Sequence, residues 1–511
     1  MTATIELTGH DLTVDDVERV ALGTTRAELG PRALEQIATS RALIDRAVAE
    51  GRPTYGVNTG FGRFVDVAIA PAQAAQLQLN LLRSHACGVG DPFPDEVVRA
   101  ATLLRANALA KGTSGVRAEP VRLLVDMLAA GVCPVVPSRG SLGASGDLAP
   151  LAHLGLVLVG EGFARVGGET LPGADALARA GLEPIVLAAK EGLALINGTQ
   201  FMAAIGALAL ARAHRLVKLA DVAAAQTIEA LRASRTPFAP ELQALRPHPG
   251  QVASAANLYR LLDDSEIVAS HRWCGRVQDA YSLRCAPQVH GAVRDAVAYA
   301  EGVVAIELNA ATDNPIVLAD RGEVLSNGNF HGQPVAIALD TLKLALAELG
   351  SISERRVERM LNPSLSNGLP AFLTADGGLN SGFMIAQYVA ASLVSEDKVL
   401  VHPASADSIP TSAGQEDHVS MGATAAVHLW HVCQNVERVL AIELLCGAQG
   451  IDFLAPLRPG AAVMAAHTAV REISLHLDSD RSLSADIEAL AARMRDGSLL
   501  AAVERGSAPL R

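Results

Sequence analysis

Aromatic residues are scarce in this 511-residue chain: Phe, Trp and Tyr together make up 3% of it. Hydrophobic residues still make up 50%, and Ala, Leu and Val fill the apolar quota. Sandwich folds lean on rings and β-branched residues, whereas small and unbranched side chains favour closely packed helices. An extracellular β-domain is therefore excluded, and a chain this long and apolar is not disordered. Basic charge is also in deficit, with a formal net charge of −12. Without a basic stripe, nucleic acid is excluded as the main partner. Cysteine is sparse, at six residues with no Cys-x-x-Cys pair. That pattern reads as free thiols in a reducing, cytoplasmic setting. Met1 to Asp16 carries several acids and no basic stretch ahead of an apolar run, so it does not read as a signal peptide. Long apolar runs are missing but for one. Gly192 to Ala211 is uncharged, yet Asn197, Gly198, Thr199 and Gln200 sit in its middle. A polar quartet is costly in lipid. The stretch is expected to be a core helix with a polar break at Asn197, not a membrane span.

What is present is helical periodicity. Pro31 suits a first turn, Leu34, Ile37, Ile44 and Val48 share a face, and Gly51 stops the run. From Pro334, Leu339, Leu342, Leu346 and Leu349 repeat at helical spacing towards Met360. Gly422 to Cys446 reads as another long helix, ending near Gly447. Two short hairpins are expected, around Gly167-Gly168 and around Asp320-Arg321-Gly322. The fold class is mainly α, a long-helix bundle core with few short strands. A smaller mixed N-terminal region spans residues 1–110. Residues 111–511 form an elongated, mainly helical domain. Six polar, glycine-rich islands interrupt the helices, at 55–62, 84–90, 140–147, 197–200, 327–332 and 411–421. Loops held on rigid helices are common places for sites.

Familiar cofactor signatures are absent. Gly140 to Gly146 has Leu142 where a dinucleotide loop needs its second glycine, and no Gly-Lys-Ser/Thr follows. Asp147 stands where a nucleophile elbow needs its last glycine, which disfavours a serine hydrolase built on Ser145. His428 and His431 lack a matching carboxylate–His pair, so no metal site is expected. The triplet Ala144-Ser145-Gly146 permits something else. In a tight turn a glycine nitrogen can attack the carbonyl carbon two residues earlier. Loss of water closes a five-membered ring, and loss of a second water from the central serine leaves an exocyclic double bond. Glycine on the attacking side reaches the required backbone angles. The tripeptide alone is a weak signal, because Thr113-Ser114-Gly115 shows how readily such triplets arise.

The flanks give it meaning. Gly140-Ser141-Leu142-Gly143-Ala144-Ser145-Gly146-Asp147-Leu148-Ala149-Pro150-Leu151 resembles the signature of the aromatic amino acid ammonia-lyases and aminomutases. Tyr55 to Gly62, Asn197-Gly198-Thr199, Tyr281-Ser282-Leu283-Arg284, Asp313-Asn314-Pro315 and Gly328 to Gly332 resemble further family motifs, in the family's order. The resemblance spans roughly residues 50–450. It implies that Ala144, Ser145 and Gly146 cyclise to 4-methylidene-imidazol-5-one (MIO), with no external cofactor. It also implies a homotetramer whose sites draw on three subunits.

Arg83-Ser84-His85-Ala86 and Gln415 to Met421 resemble the histidine-specific branch, which turns L-histidine into trans-urocanate and ammonia. A carboxylate at Glu416 can accept an imidazole N–H but offers a phenyl ring nothing. By the same resemblance Tyr55 is the general base and Tyr281 assists proton transfer or ring positioning. Arg284 clamps the substrate carboxylate. Asn197 and Gln278 position the substrate carboxylate or the prosthetic ring, Phe330 walls the site, and His85 and Glu416 hold the imidazole. Asp147 either helps ring formation or caps its own helix. Cys87, Gln333 and Gly414 depart from the branch's pattern. The alternative reading is a tyrosine or phenylalanine lyase, or a 2,3-aminomutase of the same family; a non-catalytic helical scaffold leaves the islands unexplained.

Overall fold

The computed structural model describes residues 3–511 apart from 52–53, 61–63, 65, 144–145 and 273–274. Helix dominates, and the few strands are two to five residues long. The helix Pro31–Ala49 starts on its proline and buries Ile37 and Ile44. Ile44 joins a small core with Val57, Ala189 and Val317. The run from Pro334 is one helix, Gln333–Leu361, and it passes through Gly350 without interruption. Its Leu339, Leu342, Leu346 and Leu349 are fully buried.

The uncharged stretch from Gly192 divides as its polar quartet requires. Helix Glu191–Ile196 stops at Asn197, and helix Gln200–Ala230 begins three residues later. Among the described residues no helix is long and apolar enough to cross a membrane. Both hairpins form: Phe163–Val166 pairs antiparallel with Glu169–Pro172, and Ile316–Leu318 with Glu323–Leu325.

Two features depart from expectation. Ala3–Leu7 and Thr25–Leu29 form a parallel ladder, each alternating polar and apolar residues over at most five positions, which the helical periodicity of the rest of the chain overshadowed. The helix expected to end near Gly447 continues to Asp452. Gly447 and Gly450 serve close packing there, not termination. A Cβ on Gly447 would meet the Gln226 side chain at 3.3 Å, and one on Gly450 would lie 2.9 Å from Ala230 Cβ.

Tertiary contacts group the chain into two compact units. The first holds residues 1–211, 300–340 and 403–427, and the second 212–299, 341–402 and 428–511. All six islands belong to the first unit, and the segment Gln278 to Arg284 belongs to the second.

Candidate active site

Ala144 and Ser145 lie outside the described residues, but their flanks do not, and the islands of the first unit gather on them. On the N-terminal flank, Met421 N–H donates to Leu142 O at 2.8 Å and Ser420 Oγ donates to Gly143 O at 3.1 Å. Gly332 N–H reaches the same Gly143 carbonyl at 3.3 Å. Three distant loops are thereby tied together. Gly140 packs on Gly88, so a Cβ on Gly140 would lie 3.2 Å from Gly88 Cα. The strands Val89–Pro92 and Pro137–Arg139 carry this contact outward. The loop of Tyr55 connects through Gln78, which donates to Gly56 O at 3.3 Å and accepts from Leu193 N–H at 3.2 Å. Tyr55 itself is half-buried.

On the C-terminal flank Gly146 pairs with Gly198 in a parallel bridge, and Asp147 N–H donates to Gly198 O at 2.7 Å. Gly146 has φ +77°, and a Cβ there would sit 2.1 Å from Gly198 O. Only glycine fits that approach. Asn197 is buried beside it.

Asp147 is fully buried, and its carboxylate does not cap its own helix, Leu148–Leu158. It accepts from Met202 N–H at 2.9 Å, in the first turn of helix Gln200–Ala230, and from Ser141 Oγ at 3.1 Å. Burial pushes this carboxyl up to about 7, against the pull of those hydrogen bonds. Burial likewise raises Glu307, to which Thr199 Oγ1 donates. Two acids near the triplet's flank are thus shifted towards their protonated forms.

His85 ends the helix Ala74–His85. Its Nδ1 lies 2.9 Å from Leu81 O. A carbonyl only accepts, so Nδ1 carries the hydrogen and Nε2 is the acceptor nitrogen of the neutral ring. Burial lowers the pKa of His85, and Glu416 is near enough to oppose that shift electrostatically. Glu416 is half-buried and accepts from Thr411 Oγ1 at 2.7 Å. His85 and Glu416 therefore offer two acceptors in one neighbourhood. Phe330 is half-buried in the turn that carries His331. His331 stacks on His418 with centroids 6.0 Å apart and donates from Nε2 to His418 O at 3.1 Å, tying the loop of Phe330 to that of Glu416.

In the second unit Gln278, Tyr281 and Arg284 come together. Arg284 Nη2 donates to Gln278 Oε1 at 2.9 Å, and its guanidinium stands 4.7 Å over the Tyr281 ring. Tyr281 is 71% exposed, so this ring is presented outward. Gln278 and Arg284 line a cleft of about 1060 Å³ shared with Arg232, Arg235, Arg272 and Arg276. Asp263, Asp264 and Asp279 line it too, with Arg235 paired to Asp263 and Arg276 to Asp279, and the five arginines outnumber these acids, which suits a carboxylate.

Thr411, Ser420, His331 and Arg105 escaped the sequence reading as site residues. Three of them sit in the islands, where their hydroxyl and ring types were a usable signal. Arg105 sits in mid-helix, and its signal was a lone cation in the apolar run Ala100 to Ala110.

The profile of the aromatic amino acid lyase family matches residues 12–472. A histidine ammonia-lyase from Gloeobacter violaceus is 60% identical over 504 residues, covering 99% of this chain and 98% of that one. The crystal structure of histidine ammonia-lyase from Trypanosoma cruzi superposes with a TM-score of 0.91 at 45% identity, over 99% of this chain and 96% of that one. Tyrosine aminomutase from Streptomyces globisporus superposes with a TM-score of 0.94 at 38% identity, over the whole of both chains. With its islands gathered on the flanks of an Ala-Ser-Gly triplet, this chain belongs to the aromatic amino acid lyase family.

Proposed function

We propose that this enzyme removes ammonia from L-histidine without oxidation and releases trans-urocanate. The observation that carries the reading is the pair of acceptors, His85 Nε2 and the Glu416 carboxylate, set in one unit with the triplet's flanks. An imidazole that carries hydrogen on both nitrogens can donate to both, whereas a phenyl or phenol ring cannot. Full-length identity to histidine ammonia-lyases supports the same choice. The fold alone does not discriminate, because an aminomutase superposes as well as a histidine enzyme.

The residues around the triplet fit the prosthetic group MIO. Gly146 stands where only glycine fits, and its neighbour Asp147 is pinned to Gly198. Ala144, Ser145 and Gly146 form the group themselves, and no external cofactor is needed. When present, MIO supplies the electrophile that activates the amine, or the ring, of the substrate. The chain's own side chains do the rest. Tyr55 takes the β-proton, and Tyr281 assists that transfer. Arg284, held by Gln278 and stacked on Tyr281, grips the substrate carboxylate in a two-point fork. Asn197 offers its amide to the same region, and Phe330 closes the wall beside His331. The enzyme works in the cytoplasm as a homotetramer. In that assembly the outward-facing Tyr281 group of one subunit completes the island cluster of another.

The test is a comparison of substrates. L-histidine is expected to turn over with a kcat/KM at least about tenfold above that for L-tyrosine or L-phenylalanine, the scale that buried polar recognition readily reaches. Glu416→Gln is expected to lower kcat/KM for L-histidine by roughly 10- to 100-fold, as one charge-assisted hydrogen bond is lost. Preference for an aromatic amino acid other than histidine would overturn the assignment.

A further inference from the structure

Arg105 sits in the middle of the helix Asp95–Ala110, where every residue from Ala100 to Ala110 is buried. It is fully buried, and burial lowers its pKa to about 10. Two of its guanidinium nitrogens, Nε and Nη2, have no hydrogen-bond partner among the described residues. Asp313, the carboxylate that acts on it electrostatically, is hydrogen-bonded instead to Lys190 at 2.6 Å. A buried cation kept in this state is costly, and an apolar side chain of similar length would fill the same volume more cheaply. The cost calls for a task.

The third nitrogen shows what that task is. Nη1 donates to Asn197 O at 2.7 Å and to Gln200 Oε1 at 3.0 Å, and Gln200 Nε2 donates in turn to Thr312 Oγ1 at 3.0 Å. These groups form a wall behind Gly198. A Cβ on Gly198 would lie 2.7 Å from Arg105 Nη1, 2.3 Å from Gln200 Oε1 and 2.6 Å from Thr312 Oγ1. On its other side Gly198 presses on Gly146 and receives the Asp147 N–H. The segment Asn197-Gly198 is thus squeezed between the guanidinium and the C-terminal residue of the triplet.

We infer that Arg105 is a positioning residue for the self-made prosthetic group: it clamps Asn197-Gly198 against Gly146 and so fixes the ring-closing nitrogen. The inference rests on the proposed cyclisation of the triplet. In that reaction the Gly146 nitrogen bonds to the Ala144 carbonyl carbon. The carbonyl oxygen leaves as water with the amide hydrogens of Gly146 and Ser145. A second water takes the Ser145 hydroxyl together with its α-hydrogen. An amide nitrogen is a poor nucleophile, so the reaction depends on orientation, and orientation is what a rigid backing supplies. Arg105 touches neither the substrate nor the reacting atoms in this account; it acts through Gly198.

The experiment follows maturation directly. Full-length protein is synthesised in a cell-free system, and the intact mass of the folded, soluble fraction is read against time. Wild type is expected to lose two waters. R105M, which keeps length but loses charge and fork, is expected to lose them at least about tenfold more slowly, the scale of a sub-ångström misplacement. R105K keeps the charge without the fork and is expected to fall between them. A merely structural arginine would lower Tm and leave the mass time course of the folded fraction unchanged. Folded R105M maturing at the wild-type rate would overturn the inference; if R105M does not fold, the same outcome in R105K would do so. Wild type that stays at its full sequence mass would instead overturn the reading of the triplet itself.

Discussion

Asp147 in the first unit and Asp221 in the second are both completely buried carboxyls, and their surroundings treat them in opposite ways. Asp221 is surrounded by donors. Arg294 reaches it at 2.7 Å, His290 Nδ1 at 2.8 Å, Ser254 Oγ at 2.5 Å and Asn257 Nδ2 at 2.9 Å. Burial alone would raise its pKa, but Arg294, His290 and Ser254 hold it below the usual carboxylate range. The cluster continues through His290 and Arg356 to Glu443, which accepts from Arg356 Nη2 at 2.8 Å and from Ser353 and Thr227. Asp147 is met by the backbone N–H groups of Phe201 and Met202 and the Ser141 hydroxyl, with no cation beside it among the described residues, and its pKa rises to about 7. The Asp221 cluster buries a carboxylate matched by cations and donors. Asp147 is instead an acid whose proton is held up to about pH 7, beside residues expected to lose two waters. Paired charge keeps Asp221 ionised, whereas burial without a cationic partner favours the protonated form of Asp147 beside the triplet's flank.

The comparison can be broken most forcefully at Asp221. Asp221→Asn removes the anion that faces Arg294 and His290, and is expected to cost about 3–5 kcal/mol of stability in urea denaturation. A loss below about 1 kcal/mol would show that the pairing is no stronger than an exposed salt bridge. Asp147→Asn tests the other side, and a smaller effect is expected. The raised folded-state pKa means that both states hold the proton below about pH 4. As pH climbs towards 7 the unfolded chain has released its proton and the folded chain has not, so wild-type stability falls across that window. Asparagine has no proton to lose. The stability of Asp147→Asn relative to wild type is therefore expected to rise from pH 5 to pH 7 and to level off above it. A pH-independent difference would contradict the assignment of a protonated Asp147. Asp221 has the opposite sign: its stabilisation is present above the usual carboxylate range and is lost as pH falls through its depressed pKa.

Much of this was legible in the sequence where local rules decide the outcome. Gly167-Gly168 set a two-residue turn, Pro31 set a helix start, and Asn197 to Gln200 broke an apolar run. The islands were legible as chemistry because polar loops on helical scaffolds carry sites. Where packing decides, the sequence was silent or misleading. Gly447 looked like a helix stop and proved to be a close approach to Gln226. Asp147 looked equally like a cap of its own helix and proved to serve the start of another. The ladder of Ala3–Leu7 with Thr25–Leu29 needs partners that no single segment reveals. Arg105 showed in the sequence only as a lone cation in an apolar run, because its partners at Asn197 and Gly198 lie some ninety positions downstream.

The central claim is that the triplet whose flanks these islands hold becomes an electrophile. The intact mass of the purified protein tests it most directly. The account expects wild type two waters below its sequence mass, and Ser145→Ala at its full sequence mass, folded and nearly inactive. Wild type at its full sequence mass, or a Ser145→Ala protein that still turns over L-histidine, would contradict it.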